Sequence, residues 1–242
     1  MKSPVKGRSI VDELLGKVAL VTGGGGALGS VMASRFLDSG CVVCTTSRSD
    51  QGLSKLRTSF GTRATILRAD MASEEDVVAL YDRIVSTHGT VDIVVNTAGG
   101  HLPPKPLAEV TLKEWDELMR ANLATSFLST REALRRMAGQ TYGRIINISA
   151  LAGLRPLPGR IPYVISKSSV SLLTELAAQE VKGTGITVNA VAPSIIGLPP
   201  GGSSENRPHD PEGVTADEIA AVVLSLCSTE SGRVTGTTLR MP

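Results

Sequence analysis

Tyr163-Val164-Ile165-Ser166-Lys167 sets a phenol and an ammonium four residues apart. On a helix, residues i and i+4 share a face, so the Lys167 charge can lie beside the Tyr163 hydroxyl. A free phenol titrates near pH ~10, too high for efficient proton exchange at neutral pH. A neighbouring positive charge favours the phenolate and lowers that value. Such a tyrosine can give a proton to a carbonyl oxygen being reduced, or take one from an alcohol being oxidised. The same spacing occurs on many solvated helices, so its meaning depends on what surrounds it.

A second run supplies that context. Thr22-Gly23-Gly24-Gly25-Gly26-Ala27-Leu28-Gly29 follows an apolar, strand-like stretch and opens a helical pattern reaching about Ser39. Glycines let a backbone turn tightly and approach a pyrophosphate, whose charge is met by N–H groups at the helix N-terminus. A merely flexible loop would not explain the placement at the first strand–helix junction.

The elements that must carry these motifs alternate along the chain. Strand-length apolar runs are expected at Val18–Val21, Val42–Thr45, Thr65–Leu67, Ile93–Val95, Ile145–Ile148, Thr187–Val191 and near Thr237–Leu239. Helix starts are marked at Ser73, Thr111 and Thr215, each followed three residues later by an acid as in a capping box. Gly40, Gly89 and Gly185 stand where helices should stop. Alternation of this kind predicts an α/β chain: one domain over residues 1–242, a doubly wound parallel sheet of about seven strands with helices on both faces. Ligands bind such sheets beyond the C-terminal strand ends, where the strand order reverses. The glycine turn and the other candidate motifs fall at those ends.

Composition narrows the classes. Lys plus Arg (25) nearly balances Asp plus Glu (23), which gives no electrostatic reason to expect nucleic acid or a membrane as partner. No segment has the roughly 18 consecutive apolar residues of a membrane span. Residues 1–15 read as a charged N-terminal extension without a secretory core, so a cytoplasmic protein is expected. Cys41 and Cys44 form a C-x-x-C inside the apolar run Cys41-Val42-Val43-Cys44, which reads as buried thiols. His88 and His209 have no partner pattern, and no metal site is expected. The turn-rich stretch from Leu198 to Gly213 reads as a mobile loop over the substrate.

From about Gly16 to Leu239 the chain resembles the short-chain dehydrogenase/reductase family, Rossmann-fold enzymes that move hydride between a nicotinamide cofactor and a small carbonyl or alcohol substrate. The marks are the glycine turn, Asn96-Thr97-Ala98-Gly99 after the fourth strand, Asn122 and the Tyr163–Lys167 pair. Ala27 stands where the family's middle glycine is usual. The resemblance implies Tyr163 as acid–base residue, Lys167 as its electrostatic partner and holder of the nicotinamide ribose, and Asn122 as anchor of a water leading to the lysine. It implies a cofactor site formed by Gly23, Gly25, Gly26, Leu28, Gly29, Ser47, Arg48, Asp70, Met71, Asn96, Ala98, Gly99, Tyr163, Lys167, Pro193 and Ile196. A homodimer or homotetramer through the helices bearing Asn122 and Tyr163 is implied too.

Cofactor choice is read at the end of the second strand. NAD-selecting relatives place a carboxylate there, whereas this chain has Ser47 followed by Arg48. A small hydroxyl with a guanidinium suits a 2′-phosphate, so NADP(H) is expected over NAD(H). Asp50 lies close enough to weaken that field.

The family's catalytic serine precedes the tyrosine by thirteen residues, a slot filled here by Ala150, with Ser149 beside it. Neighbouring strand residues point to opposite faces. Either the strand end is irregular and Ser149 serves, or no hydroxyl assists Tyr163. Dihydropteridine reductases also carry alanine at this slot and share the Gly-Ala-Leu-Gly-Ser turn, but they hold a carboxylate after the second strand and use NADH. Leu198 replaces the threonine that commonly holds the carboxamide, which leaves that task to backbone near Ile196. His101 follows Gly99-Gly100 and can face the substrate. The leading expectation is an NADP(H)-dependent carbonyl reductase. The alternatives are a 3-oxoacyl-carrier-protein reductase, a quinonoid dihydropteridine reductase, and a catalytically silent cofactor-binding sensor or scaffold.

Overall fold

The computed structural model of the protein describes residues 10–155, 157–197 and 213–242. In chain order these form α1 (Ile10–Leu14), β1 (Val18–Thr22), α2 (Ala27–Asp38), β2 (Val42–Ser47), α3 (Asp50–Phe60) and β3 (Ala64–Arg68). Then come α4 (Glu74–His88), β4 (Ile93–Asn96), α5 (Leu112–Leu118), α6 (Thr125–Met137) and β5 (Gly143–Ile148). The remainder is α7 (Ile161–Glu180), β6 (Ile186–Pro193), β7 (Ile196–Gly197), β8 (Val214–Thr215), α8 (Ala216–Cys227) and β9 (Thr238–Met241). The expected Leu198–Gly213 loop lies almost wholly outside the described residues, as does most of the N-terminal extension.

Seven strands make one parallel sheet in the order β3-β2-β1-β4-β5-β6-β9. The order reverses between β1 and β4, so a crevice opens beyond the C-terminal ends of those two strands. Strand periodicity sends alternate residues of β1 to opposite faces. Ala19 and Val21 join Met32 and Phe36 of α2, Leu56 of α3 and Ile219 and Val223 of α8. Val18 and Leu20 join Val77, Tyr81 and Ile84 of α4, Met137 of α6 and Ala177 of α7. Both faces are therefore buried, which explains why the strands read as near-continuous apolar runs. Cys41 and Cys44 are free buried thiols in this packing, on opposite faces of the sheet.

The helix-start signals are realised unevenly. Thr111 and Thr215 form complete capping boxes with Glu114 and Glu218. Ser73 accepts from the Asp76 N–H, but the Asp76 carboxylate takes the Asp70 N–H at 2.8 Å instead of closing the box. Gly89 ends α4 in a left-handed conformation. α7 stops at Glu180, well before Gly185, which instead begins the approach to β6. A two-residue parallel ladder, β7 with β8, was not expected; it joins residues on either side of the 198–212 segment.

Candidate active site

The site is assembled from turns at the C-terminal ends of β1, β2, β4 and β5. In the glycine turn, the Gly23 N–H donates to Thr46 Oγ1 at 3.2 Å and the Gly26 N–H donates to the Gly23 carbonyl at 3.0 Å. A methyl at Gly29 would stand 2.4 Å from the Gly23 oxygen, so that position tolerates no side chain. α2 begins with Gly26 as N-cap and no side chain capping its first N–H groups. Uncapped donors at a helix N-terminus suit an anion, and the turn fits the pyrophosphate of a dinucleotide on that ground. Ala27 opens α2 in the position of the family's middle glycine. No non-glycine residue among those described has positive φ, so the backbone there accepts a methyl. Leu28 lies in the same first turn.

The turn after β4 is locked onto the first. Thr97 donates its hydroxyl to the Thr22 carbonyl, and the Ala98 N–H donates to Thr22 Oγ1 at 3.3 Å. Beneath it, Asn96 donates to Asn147 Oδ1 at 2.8 Å, and Asn147 donates to Thr174 at 2.9 Å, a buried polar network joining β4, β5 and α7. A side-chain carbon at Gly99 would come within 2.8 Å of Asn122 Oδ1 and 3.4 Å of Lys167 Nζ, which places those two groups at this turn.

Asn122 is fully buried in a π-helical turn, Met119–Ala124, between α5 and α6. Its Oδ1 accepts the Gly100 N–H at 2.9 Å, and its Nδ2 donates to the Gly100 carbonyl at 3.1 Å and to Ser166 Oγ at 3.0 Å. The widened turn aims an internal helix residue at the site, a frequent use of π-bulges. Neither the turn nor Ser166 was foreseen; the helical periodicity of 112–137 carries no mark of an inserted residue.

α7 carries both Tyr163 and Lys167, one turn apart. Lys167 is 7% exposed, and its Nζ donates to the Ile148 carbonyl at 2.9 Å. Burial alone pulls its pKa down to about 8 from the ordinary lysine value. Tyr163 lines a pocket with Leu102, Pro103, Val110, Leu118 and Pro162, which make its wall mainly apolar. A Lys105–Glu114 ion pair of 2.7 Å stands in the same lining. The Lys105 ammonium and two bonds from Thr111 hold the Glu114 carboxyl down at about 2.

Ser149 is not brought to the tyrosine. It is 2% exposed, donates to the Lys167 carbonyl at 2.8 Å and shares a hydrogen bond with Ser171 Oγ at 2.9 Å. Ala150 occupies the neighbouring position at the end of β5, buried and extended. Ser149→Ala should accordingly cost far less in rate than the about 10²-fold that follows loss of an oxyanion donor, and Ala150→Ser should raise turnover of simple ketones. A steady-state comparison of the two variants checks this; a 10²-fold loss in Ser149→Ala would contradict it.

The residues expected at the adenosine end of a cofactor lie beyond β2 and β3. Ser47 Oγ sits against Gly25 and Gly52, and Arg48 is exposed beside it. Asp70 follows β3; one carboxylate oxygen accepts the Ala72 N–H at 3.1 Å and the other pairs with Arg120 at 3.1 Å. Met71 is buried next to it. Pro193 ends β6 and Ile196 begins β7 against the core, whereas Leu198 is outside the described residues. Among the described residues no group of three His, Cys, Asp or Glu could hold a metal, and no helix is long and apolar enough to cross a membrane.

A reversed parallel sheet with a glycine turn at its crossover is the frame of dinucleotide-binding oxidoreductases. Comparison with known proteins gives the family. The short chain dehydrogenase family model matches residues 17–207. The chain is 32% identical to a 3-oxoacyl-(acyl-carrier-protein) reductase of Haemophilus influenzae, covering 93% of this chain and 96% of that one. It is 33% identical to 3beta-hydroxysteroid dehydrogenase 1 of Eggerthella lenta (94% and 93%), and 32% identical to nodulation protein G of Rhizobium meliloti (95% and 96%). The protein belongs to the short-chain dehydrogenase/reductase family.

Proposed function

We propose that this protein is a cytoplasmic NADP(H)-dependent reductase of a small carbonyl compound, built as one cofactor-binding unit, with Tyr163 as the residue that moves the proton. The observation that carries the reading is the convergence on the Gly99 turn of Asn122 and of Lys167, which lies one helical turn from Tyr163. When bound, the nicotinamide supplies the hydride. The protein's residues do the rest. The amides opening α2 receive the pyrophosphate, and Ser47 and Arg48 receive the 2′-phosphate. Lys167, buried and charged below about pH 8, holds the ribose hydroxyls and favours the Tyr163 phenolate. Tyr163 then donates its proton to the substrate oxygen during reduction and accepts one during oxidation. Asn122 keeps Gly100 and Ser166 in place and orders a path to Lys167. The apolar pocket wall excludes water from the reacting carbonyl.

One relative is a 3-oxoacyl-(acyl-carrier-protein) reductase and another a 3beta-hydroxysteroid dehydrogenase, and both substrate classes are candidates here together with a quinonoid dihydropterin. NADPH oxidation followed by absorbance against such a panel tests the reading. Consumption with at least one carbonyl is expected; tight binding without any consumption would favour a cofactor-binding sensor. Arg48→Ala should weaken NADPH by roughly 1–3 kcal/mol and leave NADH almost unchanged, since only the former offers a charged partner. Titration of both nucleotides checks this, and equal losses would contradict it. Exposed Ile165, Leu172 and Leu176 of α7, with Phe127 of α6, present an apolar face suited to a homodimer or homotetramer.

A further inference from the structure

A second arginine lies beside Arg48, on the next strand. Arg68 ends β3 and is in register with Ser47 of β2. Its guanidinium forks: Nη1 donates to the Arg48 carbonyl at 2.9 Å, while Nη2 pairs with the Asp50 carboxylate. The fork thus clamps both sides of the β2–α3 turn, where Ser49 caps α3 by accepting the Gly52 N–H. Arg48 itself is exposed and makes no side-chain hydrogen bond or ion pair to any described residue.

Asp50 is the one acid in this turn, and its side chain is 91% exposed. Left to itself, a carboxylate two residues from Arg48 would either pair with that guanidinium or repel a phosphate brought to it. In the structure that carboxylate is paired instead with Arg68, on the β3 side.

We propose that Arg68 is a positioning residue for cofactor selectivity: it keeps Asp50 away from Arg48 and so leaves Arg48 uncommitted for the 2′-phosphate. The inference rests on the NADP(H) reading above. Arg68 acts through Asp50 rather than by contact with the cofactor, and this distinguishes it from a second phosphate ligand.

A double-mutant cycle reads the difference. Dissociation constants of NADPH and NADH are measured for the wild type, Arg68→Ala, Asp50→Asn and the double variant. Arg68→Ala should weaken NADPH about fivefold, the upper end for an exposed charge pair, with NADH unmoved. Asp50→Asn in the wild type should change little, because its carboxylate is already paired with Arg68. Adding Asp50→Asn to Arg68→Ala should restore most of the lost NADPH affinity. Equal weakening of both nucleotides, or no restoration by Asp50→Asn, would overturn the proposal while leaving NADP(H) preference intact. A wild type that binds NADH as tightly as NADPH would overturn the cofactor reading, and this inference with it.

Discussion

Tyr163→Phe should abolish turnover by about 10²–10⁴-fold, the range for a positioned acid–base group, while NADPH still binds. The substitution removes one oxygen and leaves the ring that lines the apolar pocket. Because α7 is set by Lys167, Ser166 and its packing on β5 and β6, loss of the hydroxyl should not disturb the helix. The measurement pairs steady-state rates with a nucleotide titration. A variant that keeps near-wild-type rates would mean that another group moves the proton; a variant that no longer binds cofactor would mean that the phenol anchors the nucleotide.

Lys167→Ala should damage both quantities at once. Its ammonium is buried, and in the described structure its one hydrogen bond goes to the Ile148 carbonyl, so removal strips the site of its internal positive charge. Turnover should fall by about 10²-fold or more as the phenolate loses its partner. Nucleotide affinity should fall by roughly 1–3 kcal/mol with the bonds to the ribose. A pH series adds a signature that a packing defect would not produce. The Lys167 pKa lies near 8, below the ordinary lysine value, so the charged form persists below that pH and is lost above it. Wild-type affinity for the nucleotide should therefore weaken as pH rises past about 8, and Lys167→Ala should lack that limb. A variant with the same alkaline limb as the wild type would assign the titration elsewhere.

The strands were legible because both sheet faces are covered. Val18–Val21 stands out as an unbroken apolar run and Ile145–Ile148 as one interrupted only by Asn147, and the structure extends each by only one or two residues. Helix starts at Thr111 and Thr215 were legible because one short pattern serves both backbone and side chain; at Ser73 the acid found a longer-range partner in the Asp70 N–H. The π-helical turn at Asn122 left no signal, since an extra residue in a helix changes the phase of a pattern too short to show it. Ser149 was ambiguous by sequence. The alternation rule favoured a hydroxyl turned away from the site, a bulge would have reversed it, and the structure gives that hydroxyl to the Lys167 carbonyl and Ser171. The Arg68–Asp50 contact joins residues eighteen apart through parallel register, which no local motif encodes.

Transfer of deuterium tests the central claim most directly. NADPH labelled at the nicotinamide carbon that gives up the hydride is incubated with the wild-type enzyme and a panel of ketones, aldehydes and 3-oxoacyl thioesters, and products are examined by mass spectrometry. A singly deuterated reduced product is expected from at least one member of the panel, formed faster than from labelled NADH and absent with Tyr163→Phe. Label that remains on the nucleotide throughout, in a protein that binds NADPH tightly, would contradict it.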